Sequence, residues 1–119
     1  MRKLALALSS LCFFATLAHA QEVRLFLTGN DLLDRCSAEG YNHGLCEGYV
    51  MAIADAMSGD NTVVGLKACL DVKVRGAQVV EIVVAALHRK AADRQLSARS
   101  IVADAIADAF PCPPRYGAR

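Results

Sequence analysis

Four cysteines, two histidines and one carboxylate in an apolar helix are the residues of this chain with chemistry to offer. There are five cysteines in 119 residues. Cys12 falls inside an N-terminal apolar run, which leaves Cys36, Cys46, Cys69 and Cys112. None belongs to a C-x-x-C pair or a C-x-x-C-H haem signature. His43 stands three residues before Cys46, so Cys36, His43 and Cys46 would offer a zinc-type donor set. Oxidation is the stronger alternative. An even number of cysteines in an exported chain reads as two disulfides, and no metal is expected.

Catalytic groups are scarce. His43 and His88 are the candidate bases, and most carboxylates fall on polar helix faces. No serine sits in a nucleophile motif, and there is no P-loop or dinucleotide fingerprint. Neither an enzyme activity nor a cofactor is expected from such a set. Asp55 stands apart because its helix is otherwise apolar, where a carboxylate is costly unless paired or hydrogen-bonded. Backbone N–H groups, Arg35 or Arg75 would satisfy it structurally; a place at a partner surface is the competing role. The stretch Arg89–Gln95, RKAADRQ, is the most polar segment between two apolar helices. It is either a solvated connection or a binding loop on a rigid scaffold.

The elements that position these residues follow from patterning. Arg2 and Lys3, the apolar run Leu4–Leu17 and Ala18-His19-Ala20 match a secretory signal peptide cleaved after Ala20. The run is too short to span a membrane, and no second one follows. Removing 20 of 119 residues leaves 99, a single domain. The formal charge is +1, or −1 without Arg2 and Lys3, and no basic run exists. Nucleic acid and anionic membranes are therefore poor partners.

Residues 21–27 alternate as a short extended arm. Asn30 is the expected N-cap of a first helix, with Leu32, Leu33 and Cys36 inward and Asp31 and Asp34 near the positive end of its dipole. Gly40 and Asn42 mark the following loop. A central helix runs from His43 or Leu45 to Met57, with Gly59 as its left-handed cap. Cys46, Tyr49, Val50, Ile53 and Met57 share one face, yet the opposite face carries only Asp55 as a charge. A helix so apolar is expected to be enclosed, with the others packed around it. Thr62–Arg75 is a mixed connector. Gly76–Lys90 contains VVEIVV, which has strand composition, but without period-two alternation it reads as a third helix. Its wide apolar face suggests a dimer. Ser97 caps a fourth helix that Pro111 ends, and 113–119 is an irregular tail. The fold class is all-α, a small disulfide-stabilised domain of about four helices around Cys46–Met57.

Helix geometry selects the cysteine pairing. Cys36 closes the first helix and Cys46 opens the second, while Cys69 precedes the third and Cys112 follows the fourth. If the last two helices form an antiparallel hairpin, the pairs are Cys36–Cys46 and Cys69–Cys112. The central helix would hold Cys46 and Cys69 roughly 17 Å apart.

The ordered set Thr28-Gly29-Asn30-Asp31-Leu32-Leu33, Cys36, Cys46 with Gly48-Tyr49-Val50, Ala54-Asp55-Ala56, Cys69, Gln78 and Ala105–Phe110 before Pro111-Cys112 resembles the Rap/Tai family. The likeness covers residues 28–112. Its members are helical periplasmic proteins named for immunity against type VI secretion amidases, and several are homodimers. The resemblance implies a loop inserted into the active-site cleft of a peptidoglycan amidase. That loop is His88–Leu96 here, with His88, Arg89, Lys90, Asp93, Arg94 and Gln95 as contacts and Gly76–Leu87 as support. His88-Arg89 stands where members often carry His-Pro. The alternative is a periplasmic helical interaction module, or an acid-stress chaperone, with no amidase target.

Overall fold

A computed structural model describes residues 26–114. The expected signal peptide, most of the arm and the end of the tail lie outside these residues. Among the described residues four α-helices form an all-α fold: α1 (Gly29–Ser37), α2 (Tyr41–Met57), α3 (Gly76–Arg89) and α4 (Ala98–Ala109). Among the described residues the only β pairings are two isolated bridges, so VVEIVV is helical. Each helix touches the other three. The shared core is aliphatic, with Leu32, Val50, Met57, Val83, Leu87, Val102 and Ile106 fully buried.

Thr28, not Asn30, caps α1. Thr28 is extended, its hydroxyl accepts from the Asp31 N–H at 3.2 Å, and the Asp31 carboxylate accepts from the Thr28 N–H at 2.8 Å. This reciprocal box satisfies two donors at once, whereas a cap at Asn30 would satisfy one. Asn30 instead lies in the first turn. Helix α2 begins at Tyr41, ahead of the expected start, because Gly40 takes the left-handed φ of 63° that turns the chain into it. Ser58 and then Gly59, with φ 70°, end it.

Helix α2 is central but not enclosed. Cys46, Val50, Ile53, Ala54 and Met57 are buried, while Gly44, Gly48, Ala52, Asp55 and Ala56 are exposed and Met51 is 41% exposed. The outward apolar positions are mostly Gly and Ala, which lose little by facing water. Asp55 is exposed and makes no side-chain hydrogen bond or ion pair among the described residues, so it needs no structural partner. The expectation of a satisfied buried carboxylate fails for that reason.

The disulfides are Cys36–Cys46, which joins α1 to α2, and Cys69–Cys112, which joins the α2–α3 connector to the chain after α4. The first is buried; Cys69 of the second is exposed. Cys69 also donates its N–H to the Phe110 carbonyl at 2.9 Å, so the connector is held by a covalent and a hydrogen bond together.

Candidate partner-binding surface

The α3–α4 loop is built from behind. Lys90 ends α3 with its N–H on the Ala86 carbonyl, and Ala91–Asp93 form one 3₁₀ turn. The first two N–H groups of α1 have no partner within their own helix. They point at the loop: Gly29 donates to Leu96 at 3.0 Å and Asn30 to Arg94 at 2.9 Å. Ala98 returns a bond to the Leu27 carbonyl at 3.0 Å, and Thr28 bridges Ser97. Gly29 makes this approach sterically feasible. A Cβ there would lie 2.5 Å from Ile101 Cδ1 and 3.0 Å from the Arg94 backbone. Three backbone bonds thus fix the rear of a loop whose front faces water. Ser97 begins α4 without a side-chain cap bond.

The loop residues divide by orientation. His88, Arg89, Asp93 and Gln95 are exposed. Lys90 is half-buried in an ion pair with Asp104 of α4. The Asp104 hydrogen bond, helped by the nearby charges of Asp104, Asp108 and Asp93, holds the Lys90 ammonium above its ordinary pKa. Arg94 turns inward: it is half-buried, and its Nε is buried without a hydrogen-bond partner among the described residues. Its aliphatic stem packs where its charge does not help.

Two apolar contributors to this surface are not among the contacts expected from the sequence, although Leu96 ends the expected loop. Leu96, 50% exposed, precedes the start of α4, where a leucine reads as core. Val64, 45% exposed, sits at the tip of a tight turn in the α2–α3 connector. Val63 and Leu66 exchange both backbone hydrogen bonds, at 3.0 and 2.9 Å, around Val64 and Gly65. Both central residues have positive φ, 49° and 78°. That is the type I′ geometry, for which Asn-Gly is the favoured pair. A β-branched residue in the left-handed region is an outlier costing about 1–3 kcal/mol. No sequence signal marks it, since Val-Gly is not a turn dipeptide.

A second surface feature is a groove of about 500 Å³ between α2 and α3, floored by Val80 and Val84 and edged by His43, Glu47, Glu81 and His88. His43 Nδ1 lies 3.1 Å from the Cys36 carbonyl, and Nε2 lies 3.5 Å from Glu47. The sulfur atoms that a Cys36, His43 and Cys46 site would need are bonded to each other. Among the described residues no group of three or more His, Cys, Asp or Glu is arranged to hold a metal.

The geometry is thus a small cross-linked helical bundle that presents a braced, charged loop. The chain belongs to the Rap1a immunity proteins, whose family profile matches residues 28–112. It is an immunity protein directed against a secreted effector. No curated protein matches it. Two disulfides fit an exported chain, and among the described residues no helix is long and apolar enough to cross a membrane.

Proposed function

We propose that this protein protects the periplasm from a peptidoglycan amidase delivered by a type VI secretion system, by inserting the α3–α4 loop into the enzyme's active-site cleft. The carrying observation is the loop's construction: three backbone bonds at its rear and His88, Arg89, Asp93 and Gln95 at its front. A braced loop binds with little ordering cost, and occlusion needs no catalytic residue of its own. Arg89 is the best anchor, because it is exposed, branched for bidentate contacts and outside any ion pair among the described residues. Arg94 serves the loop's packing instead.

The face of α2 that is exposed among the described residues supports a homodimer. Gly44, Gly48 and Ala52 recur every four residues beside Met51, and such a stripe lets a second helix approach closely. Size-exclusion chromatography with light scattering, on the oxidised protein alone and mixed with the nearest encoded amidase, tests both parts. A dimer that shifts to a stoichiometric complex supports the reading. Arg89→Glu should weaken that complex by about tenfold or more while leaving helicity intact. An amidase that stays unbound and fully active in the mixture would remove it.

A further inference from the structure

The turn at Val64 and the residue Leu96 belong to different connectors, yet both border one gap. It measures about 380 Å³, with Leu66 and Ile101 lining it and Lys90, Asp93 and Asp104 among its polar edges. Val63 and Leu66, on either side of the tip, are half-buried against the core, so the turn is held firmly while Val64 points to solvent. Glycine or asparagine at position 64 would suit the backbone better. The bundle therefore holds an apolar side chain outward, in an unfavourable backbone conformation, opposite a second exposed apolar side chain. Folding alone gives no reason for that arrangement, and strain of this kind concentrates at binding sites.

We propose that Val64 and Leu96 are paired apolar lips of the effector-binding face, gripping an apolar side chain that projects from the rim of the effector's cleft. The inference rests on the immunity reading above and extends that surface onto the α2–α3 connector. The chemistry of the occupant follows from the lining. The floor is aliphatic, so the inserted group is apolar. Lys90 is paired with Asp104 and Asp93 stands beside them, which leaves the edge with one carboxylate in excess. A basic residue next to the inserted group would complement that edge. The gap adjoins the loop's own contacts, since Lys90, Asp93 and Leu96 border both.

Val64→Asn separates a binding role from a structural one, because the two predict opposite signs. Asparagine accepts the left-handed conformation, so the variant should melt a few degrees higher than the wild type. It loses the apolar lip, so affinity for the amidase effector, read by isothermal titration calorimetry, should fall about tenfold. Leu96→Asn should weaken binding to a similar degree. Arg89→Glu reports on the loop itself. If Arg89→Glu abolishes binding while Val64→Asn or Leu96→Asn binds like the wild type, the paired lips are overturned and the immunity reading stands. If wild-type protein does not bind the effector at all, both fall. A Val64→Asn protein that melts lower than the wild type would overturn the backbone argument directly.

Discussion

The two long connectors of this bundle lie side by side and are made rigid by different means. The α2–α3 connector is fastened covalently, by Cys69–Cys112, and by apolar side chains such as Val63, Leu66, Leu70 and Val74 against the core. The α3–α4 loop has no cross-link. Its brace is the N-terminus of α1, whose unpaired N–H groups donate to Arg94 and Leu96. One connector is stiffened against unfolding as a whole. The other depends on a single helix end. A surface shared by both can therefore be loosened from either side independently, and the following variants separate the two.

The largest effect should come from the covalent side. Replacing Cys69 and Cys112 together by serine opens a cross-link spanning 43 positions. On the chain-entropy model that costs about 4 kcal/mol, against about 2.7 kcal/mol for the shorter Cys36–Cys46 loop. Urea denaturation of the two double variants measures the difference. An equal or smaller loss for the long loop would mean that packing of Val63, Leu66 and Leu70 already holds the connector, and the contrast between the two connectors would weaken.

The hydrogen-bonded side is tested at Gly29. A methyl group there meets the Arg94 backbone at 3.0 Å as well as the Ile101 side chain, and the backbone cannot swing away as a side-chain end can. Gly29→Ala should destabilise the fold by about 2 kcal/mol, in the range of overpacking. It should also push the loop off its brace, so affinity for the effector falls by more than the stability loss alone accounts for. Stability loss with unchanged affinity would show that the loop reaches its binding shape without α1.

These cases also mark what the sequence could and could not reveal. The four helices were legible because Val50, Ile53, Val83, Leu87, Val102 and Ile106 recur with helical spacing, and the cysteine pairing followed from which helix ends meet. Thr28 and Asn30 both have capping side chains. What decides between them is Asp31 closing the box and the bridge to Ser97, and the second of these is a long-range contact that no local pattern carries. Asp55 misled because periodicity counts Gly44, Gly48 and Ala52 as apolar without asking whether they are large enough to need burial. Arg94 reads as solvated in RKAADRQ, although its stem packs inward. Val64 was invisible, since nothing in Val-Gly announces a positive φ.

The smallest effect concerns the cap itself, and it has a pH signature. The Thr28 side chain, and then the Thr28 backbone N–H, hydrogen-bond to the Asp31 carboxylate and hold its pKa below the ordinary value. A carboxyl whose folded pKa is depressed stabilises the fold above its unfolded pKa, about 3.9, and that contribution is lost as pH falls through the folded value. Thr28→Val keeps the shape of the side chain and removes the hydroxyl, at a cost of about 1 kcal/mol near neutral pH. The gap between variant and wild type should then narrow as pH falls below the unfolded value and on through the lower folded value, where Asp31 becomes protonated in the wild type as well. Amide hydrogen exchange at Gly29 and Asn30, followed from neutral pH into acid, shows where the change is felt. In the wild type these two amides should lose protection early, as the cap and the loop's brace loosen together. The Cys69 amide, tied to Phe110 beside a disulfide, should keep its protection over the same range. Loss of protection at all three sites together would mean that acid unfolds the bundle globally, and that the two connectors are not mechanically separate.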